Sequence, residues 1–397
     1  MASNAKNLAE LLNQDSTVAV GDIADGSVTT AKLAADAVTA AKLADDSVVT
    51  ANITDGAITQ AKTTGVGAGK NIIINGGMQI SQRDNGTVTG IGASSGYFCQ
   101  DRWKLYASGT DGRISMGVST DTPEGFSKSM KLACTTADTS IATGESMQLQ
   151  QLIEARYAQP FKKGTSNALP FALSFYVKGN AAATYVAELE DYDNGSRHVG
   201  KAFNVTTSWN RVSIIFPADT TGVLGNDNGI GISLNIHLHA GSFNTSGTLR
   251  ETWGTLSQAD RIGGGTTSFL DSTSRTLFIT GVKLETTQVT DFIHNTFQED
   301  FNECERYYYR FYYSSPAQNA GYGNSYGTGV LGPCMRATPS MSATGGYTAY
   351  PSPVNNSASM VAGGAAHADG VVNCRWLFNG DNAKNYMDAP TQLDAEL

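Results

Sequence analysis

The sequence predicts a mainly β, elongated protein in which a repeat stalk leads to an antiparallel β-sandwich and a small C-terminal β-domain. Only 16% of the 397 residues are charged and 43 are glycine, a composition typical of turn-rich β proteins. Apolar and polar residues alternate with the two-residue period of strands, and aliphatic residues recur at every fifth position near the N-terminus. The predicted parts are an attachment helix or tail (1–16), the stalk (17–63), a hinge (64–70), the sandwich (71–297), and a short helix followed by the β tip (298–397).

The N-terminal part carries Leu8, Leu11 and Leu12 at helical spacing, ahead of the turn residues Asp15 and Ser16. Leucines three and four positions apart share one face of a helix. This face is predicted to attach the chain to another protein. The alternative is a disordered tail.

The stalk is a ten-residue repeat, written IADGSVTTAK in its first copy. A step of five residues spreads side chains around a helix and changes face on a strand, so each repeat must contain a bend. Pairs of Asp, Gly or Ala at one fixed place in each repeat supply turn residues. The predicted core of the stalk is the five-residue ladder Val18, Ile23, Val28, Leu33, Val38, Leu43, Val48, Ile53 and Ile58.

This ladder is too thin a core for one chain. Its aliphatic side chains bury too little surface to offset the conformational entropy lost by ordering the whole stretch. We therefore expect several identical chains around a common axis, with Lys32, Lys42 and Lys62 facing water. The alternative is a flexible linker rich in Ala, Thr and Ser.

The hinge contains the letters GAGK, which resemble a phosphate-binding loop. Thr64 stands where that loop has its first glycine, and Asn71 stands where it has Ser or Thr. The sequence therefore indicates no nucleotide site there.

The sandwich is predicted from alternating strands separated by hairpin signals, such as Asp193-Asn194-Gly195. The stretch from Gly241 to Ser274 has few strand signals and is predicted to be an exposed loop. Trp103, Trp209 and Trp253 are assigned to the sandwich. The clearest alternating runs are Phe171, Leu173, Phe175 and Val177; Val212, Ile214 and Phe216; and Ile230, Ile232, Leu234, Ile236 and Leu238.

The last part begins with a short helix over 298–306, with Phe301 and Cys304 on one side, and continues as a second β-region. It has few large aliphatic residues, so it would gain stability from packing against copies of itself.

Charge and composition exclude several classes. The net charge is −9 and no Lys/Arg cluster is present, so nucleic acid is not an expected partner. No apolar run reaches the roughly 20 residues of a membrane span, and the N-terminus lacks a signal peptide. We expect synthesis in a cytoplasm, no membrane insertion and no cofactor. The five scattered cysteines predict reduced thiols.

Two polar clusters are candidates for chemistry. Glu188, Glu190, Asp191 and Asp193 could supply a glycosidase pair or part of a calcium loop, but a solvated strand end closed by a turn is the preferred interpretation. The H-x-H sequence formed by His237 and His239 could hold a metal. Surface histidines on a polar strand face are preferred, so no metal site is predicted.

His198, His294 and His367 are isolated in the sequence, so a Ser-His-Asp catalytic triad is not predicted. The aromatic residues of the glycine-rich C-terminal region are more informative, because flat exposed rings stack on sugar faces. The alternative is that they form the core and the subunit contacts of the tip. The candidate receptor-binding residues are Tyr322, Tyr326, Tyr347, Tyr350 and Trp376.

Several phrases together resemble tail fibres, or receptor-binding proteins, of tailed bacteriophages, especially short-tailed phages of marine bacteria. They are the decads, NIIINGGMQISQRDNGT (71–87), TTSWNRVSIIFP (206–217) and the junction at 282–309. The junction includes the family's C-x-R-Y-Y pattern as Cys304, Arg306, Tyr307 and Tyr308. Pro333, Met335, Arg336 and Pro339 are similar to its P-x-M-R-x-x-P segment.

The resemblance implies a homotrimeric virion fibre with a jelly-roll sandwich similar to carbohydrate-binding modules. The N-terminus would attach to tail or adaptor proteins, and the distal β-domains would bind host polysaccharide or lipopolysaccharide without cleaving it. The N-terminal part is shorter than the attachment domain of many such fibres. The alternative is a tailspike enzyme that degrades polysaccharide, which would require a long parallel β-helix.

Overall fold

The computed structural model describes residues 69–316, 324–331, 335–337, 339–343, 365–366, 372–379 and 386–397, together with isolated residues between 27 and 53. The chain divides into two compact units, Met1–Val66 and Gly67–Leu397. Among the described residues, no helix is long and apolar enough to cross a membrane.

Four residues of the predicted stalk core belong to the described set. Leu33, Val38, Leu43 and Ile53 are exposed in the single chain, from 37% for Ile53 to 54% for Val38. The predicted attachment residues lie outside the described residues, as does the rest of the ladder: Leu8, Leu11, Leu12, Val18, Ile23, Val28, Val48 and Ile58.

The second unit is built around two antiparallel sheets, which confirms the predicted mainly β fold and its sandwich. One sheet has six strands, in the spatial order β1 (Thr87–Ile91), β4 (Arg113–Ser119), β5 (Ser129–Thr136), β13 (Thr276–Thr286), β7 (Phe171–Gly179) and β10 (Asn210–Phe216). The other has seven, in the order β12 (Gly254–Thr255), β9 (Arg197–Val205), β8 (Ala183–Asp191), β11 (Ile230–Ala240), β6 (Ser146–Glu154), β3 (Lys104–Ser108) and β2 (Gly96–Tyr97).

Eight of these strands have the order of a jelly roll. Four neighbours in the six-stranded sheet run β5-β13-β7-β10, and four in the seven-stranded sheet run β6-β11-β8-β9. Within this set, consecutive strands cross from one sheet to the other except for β8 and β9, which form a hairpin. This double-sheet arrangement of Greek keys is that of jelly-roll domains.

The core lies between the sheets, where the predicted alternation places it. Phe171, Leu173 and Phe175 of β7 are fully buried, and the ring of Phe171 stacks on that of Phe161 at a centroid distance of 3.9 Å. The indole nitrogen of Trp103 donates to the carbonyl of Asn75 at 3.2 Å. Three of the five cysteines, Cys99, Cys134 and Cys304, are buried free thiols, as predicted.

The stretch from Gly241 to Ser274 is not the exposed loop that the sequence predicted. Ile262, Phe269 and Leu270 are fully buried, and the Phe269 amide donates to the Leu238 carbonyl of β11 at 2.8 Å. The stretch contains a short helix, Ser242–Thr245, and a 3₁₀ turn, Gln258–Asp260. It is held by backbone hydrogen bonds to strands, which a search for alternating residues does not detect.

The predicted C-terminal helix is present over Phe297–Glu305. It begins at a capping box in which Thr296 and Glu299 exchange side-chain to backbone hydrogen bonds. Cys304 packs with Tyr307 against Ile74, while Phe301 flanks this cluster.

After this helix, the described residues form two three-stranded antiparallel sheets. One contains β14 (Tyr308–Pro316), β19 (Tyr386–Asp394) and β16 (Ser340–Ala343), and the other contains β15 (Asn324–Leu331), β18 (Val372–Asn379) and β17 (Ala365–Ala366).

Residues of the C-x-R-Y-Y and P-x-M-R-x-x-P patterns form hydrogen bonds between this region and the sandwich. Arg306 makes two hydrogen bonds to the buried Glu154 carboxylate, at 2.9 and 2.8 Å, and the Tyr307 hydroxyl donates to the same carboxylate at 2.6 Å. Arg336 donates to the backbone carbonyls of Asn228 and Ala395. These residues therefore join the chain after the sandwich to the sandwich itself.

Candidate functional site

The outer face of the seven-stranded sheet is polar and yet largely buried. On the outer face, β6 contributes Gln148 and Gln150, which pair in register with His237 and Asn235 of β11. All four side chains are at most 5% exposed. The segment that follows β11, residues 241–274, lies over this face, and we call it the covering segment. Polar residues that alternate with core residues, and would therefore be expected to face solvent, are enclosed beneath it.

Glu188 of β8 is the centre of this polar network. Its carboxylate accepts hydrogen bonds from His198 Nδ1 and His237 Nε2, both at 2.9 Å, and from Asn235 Nδ2 at 3.1 Å. Arg261, which belongs to the covering segment, donates to Glu188 at 2.6 Å and to Glu190 at 2.7 Å. One guanidinium thus pins the covering segment to two carboxylates of the sheet.

Burial and charge oppose each other in this network. Burial raises the pKa of Glu188, but the adjacent Arg261 guanidinium and His237 outweigh it and hold that pKa well below its ordinary value. For Glu190 burial prevails over Arg261 and the pKa is raised. Burial lowers the pKa of His237 although Glu188 opposes this. His237 is therefore a neutral imidazole whose Nε2 donates to a charged Glu188.

A groove of about 420 Å³ lies over this network. Two partly exposed tyrosines line it, Tyr106 of β3 at 37% exposure and Tyr192 beside the β8–β9 turn at 42%. Its polar lining comes mainly from the sheet and the covering segment: Lys104, Ser108, Ser146, Gln148, Gln150, His237, Asn244, Gln258 and Arg261.

Two polar atoms of the groove have no hydrogen-bond partner among the described residues. They are His237 Nδ1 and Asn244 Oδ1, and both residues are more than nine-tenths buried. Because His237 donates through Nε2, its Nδ1 is an acceptor, and so is the Asn244 oxygen. Buried acceptors without partners are costly, and a ligand with hydroxyl donors would satisfy them.

Two interpretations of the polar residues are corrected by the structure. His237 and His239 are not surface histidines, since they are 1% and 0% exposed. Nor do they converge on one ion, because His237 contacts Glu188 whereas His239 contacts Glu145. A register irregularity in β11 lies between the two histidines.

The acidic patch is likewise not a solvated strand end. Glu188, Glu190 and Asp191 are buried and only Asp193 is exposed. The predicted turn is present, with Gly195 at a φ of +66° between β8 and β9.

The predicted receptor-binding aromatics are not brought into this groove by any described contact. Tyr322, Tyr347 and Tyr350 lie outside the described residues. Tyr326 is on β15 and Trp376 on β18, where Trp376 pairs with Gly327. Sequence reasoning missed Tyr106, Tyr192 and Asn244. The one available signal was the polar row around H-x-H, which was interpreted as facing solvent.

No protein-family model matches the chain, and no curated protein matches it. Solved structures with a similar fold include a family 4 carbohydrate-binding module (10% identity, TM-score 0.30, covering 54% of this chain and 98% of the other). A xylan-binding CBM22-1 domain from Paenibacillus barcinonensis gives 10% identity, a TM-score of 0.28 and coverage of 56% and 98%. TmCBM61, solved with β-1,4-galactotriose, has 11% identity and a TM-score of 0.27, and the match covers 55% of this chain and 99% of the other.

At these TM-scores the likenesses carry no argument about binding, and the jelly-roll assignment rests on the strand order described above. The fold and the groove together define a jelly-roll β-sandwich with an enclosed polar sheet face.

Proposed function

We propose that the protein is a bacteriophage tail fibre that binds host-surface glycans through the groove over the seven-stranded sheet. The observation that carries the proposal is the combination of two partly exposed tyrosine rings, Tyr106 and Tyr192, with two unpaired acceptors, His237 Nδ1 and Asn244 Oδ1. A sugar ring has an apolar face that stacks on an aromatic ring and hydroxyl groups that donate to acceptors.

The polar network supports binding by fixing the floor before a ligand arrives. Glu188 orients His237, and Asn235 accepts a hydrogen bond from Gln150 at 2.8 Å. Groups held in this way lose little freedom when a ligand binds. The weak, shallow contacts of one groove would then be multiplied by joining several chains, because a second contact is made at high effective concentration.

Binding without cleavage is the second part of the proposal. Glu188 and Glu190 do not line the groove, and Arg261 donates to both carboxylates. A general acid or base must come within hydrogen-bond reach of the substrate. Neither of these two carboxylates lines the groove where a ligand would bind. The arrangement therefore supports a binding site rather than a glycosidase.

The groove is tested by Tyr106→Ala and Tyr192→Ala, with Ile215→Ala as the control. Ile215 is 46% exposed, and it lies on β10 of the other sheet. Loss of one stacking ring should weaken binding to purified host polysaccharide about 2- to 12-fold, as about 0.5–1.5 kcal/mol predicts, whereas the control should bind normally. Equal binding by all variants would contradict the groove, and release of oligosaccharides would contradict binding without cleavage.

The assembly is proposed as a homotrimer attached to the tail, or to an adaptor, through its N-terminus. The phage-fibre resemblance and the exposed ladder residues Leu33 and Leu43 support it. Light scattering on the full chain should give three times 41.8 kDa, and a Leu33→Asp, Leu43→Asp double variant should fall to the monomer mass. A monomeric unmodified chain would contradict the trimer. Labelled antibody on intact phage particles tests the virion location.

A further inference from the structure

Three buried side chains that the groove does not use meet at one end of the seven-stranded sheet. Asp138 follows β5, Glu145 precedes β6 and His239 is near the end of β11. One ligand-capable atom from each lies within 4.8 Å of the others, and Glu145 Oε2 is 3.1 Å from His239 Nε2. The Gly241 amide donates to the Glu145 carbonyl at 2.8 Å, which ties the loop to the strand end.

Close backbone packing keeps these chain segments together. A Cβ on Gly241 would lie 1.9 Å from the carbonyl oxygen of Ala142, so only glycine allows this approach. The arrangement of the three side chains is thus fixed by the fold and not by one loop alone.

The cluster lacks the Lys or Arg partner that the most deeply buried carboxylates have. Asp138 and Glu145 are 7% and 6% exposed, and no ion pair among the described residues joins either of them to Lys or Arg. One imidazole can supply at most a single positive charge against two carboxylates. By contrast, every described carboxylate at 1% exposure or less has a Lys or Arg within 4.0 Å: Asp101, Glu154, Glu188, Asp191 and Glu285.

Outer hydrogen bonds already orient the potential ligands. His239 Nδ1 is 2.8 Å from Ser268 Oγ, which directs Nε2 toward the carboxylates. Asp138 Oδ2 accepts from Thr110 Oγ1 at 2.7 Å and from the Asp111 amide at 3.0 Å. Metal-binding histidines and carboxylates are typically held by such partners.

The donor set selects the ion. One imidazole nitrogen with two carboxylate oxygens suits zinc, whereas calcium and magnesium prefer oxygen alone. Zinc ligands at about 2.0–2.2 Å in a tetrahedron are about 3.3–3.6 Å apart. Glu145 and His239 are 3.1 Å apart, and all three ligand atoms lie within 4.8 Å of one another, so small side-chain shifts would bring them to these separations. We propose that Asp138, Glu145 and His239 bind one Zn²⁺ ion, which braces the β5–β6 connection against the end of β11.

The test uses the full chain without a histidine tag, treated with a chelator and titrated with ZnCl₂ at neutral pH. We expect one zinc per chain by calorimetry and elemental analysis, and a higher unfolding temperature. Calcium or magnesium in excess should not displace it. Cobalt titrated into the same unmodified protein should give the visible absorption bands of a tetrahedral nitrogen and oxygen site, a readout that requires no variant.

Variants then assign the ligands. Asp138→Asn and His239→Gln should each weaken zinc binding more than Ser268→Ala, for which about tenfold is expected of an outer partner. His294→Gln, which replaces an exposed histidine, is the control and should bind normally. Absence of stoichiometric zinc would overturn the proposal, as would equal loss in the control or thiolate-to-cobalt charge-transfer bands.

Discussion

The two sheets of the sandwich share an antiparallel pattern but differ in what lies on their outer faces. On the six-stranded sheet the outer face includes Ile215, which is 46% exposed, and the ion pair of Lys178 with Asp121, whose side chains are 22% and 41% exposed. On the seven-stranded sheet the corresponding pair is Arg261 with Glu188, at 12% and 0%. The charges around Lys178 are solvated, and we call this part of the six-stranded sheet the open face, whereas the charges around Glu188 are enclosed. Elsewhere on the six-stranded sheet, Lys283 and Glu285 of β13 form an enclosed pair, each 1% exposed.

This difference comes from the segment after β11, whose apolar and polar residues do not alternate. The chain after β11 folds back over the seven-stranded sheet, and Arg261 reaches from it to the sheet carboxylates. Once polar groups are enclosed, each needs a partner, because water no longer supplies one. Of the unpaired buried atoms, His237 Nδ1 and Asn244 Oδ1 are the informative ones, because their residues line the groove.

The largest expected effect is that of removing the cation from the enclosed face. Arg261→Ala leaves Glu188 and Glu190 buried without their shared guanidinium, and breaking a buried pair in this way costs about 3–5 kcal/mol. We expect a loss of that size in the free energy of unfolding, measured by urea denaturation followed by circular dichroism.

The matched change on the open face is Lys178→Ala. Its pair with Asp121 is accessible to solvent, so the expected loss is at most about 1 kcal/mol. Equal losses for the two variants would show that the faces do not differ in the way the burial indicates.

Much of this fold could be predicted from alternation, since Phe171, Leu173 and Phe175 are core residues as expected. Alternation gives the side of the sheet on which a residue lies, but not what covers that side. His237 and Glu188 were accordingly expected to face solvent. The covering segment follows no period because backbone hydrogen bonds and single contacts hold it, and the groove therefore could not be predicted from the sequence.

A smaller effect is expected from loosening the covering segment through its apolar anchor. Ile262 is fully buried, and its amide donates to the Asn244 carbonyl at 3.0 Å. Ile262→Ala should cost about 2–5 kcal/mol and weaken glycan binding, because Asn244 lines the groove. Ile215→Ala on the open face should change the free energy of unfolding by no more than about 0.5 kcal/mol. If Ile262→Ala is destabilised but binds glycan normally, binding in the groove does not depend on the packing of the covering segment.

The smallest expected effect concerns pH. The pKa of His237 is lowered in the folded protein, mainly by burial, so the unfolded chain binds more protons and acid favours unfolding. Stability should therefore fall as the pH drops below about 6.5, by at most about 1.4 kcal/mol per pH unit for one proton. His237→Gln should reduce this slope in urea denaturation measured at a series of pH values.

The slope of stability against pH must be compared between the unmodified chain and His237→Gln, because Asp101 changes stability with pH in the opposite direction to His237. Burial raises its pKa to about 6, so its contribution favours the folded state at low pH and is lost as the pH rises to about 6. This contribution is common to the unmodified chain and to His237→Gln, and it cancels in their difference. Lys178→Ala, on the open face, should keep the unmodified slope between about pH 5 and 6.5, because Asp121, whose pKa Lys178 holds below the ordinary 3.8, titrates only in stronger acid. An unchanged slope in His237→Gln would show that the enclosed imidazole does not limit stability in acid.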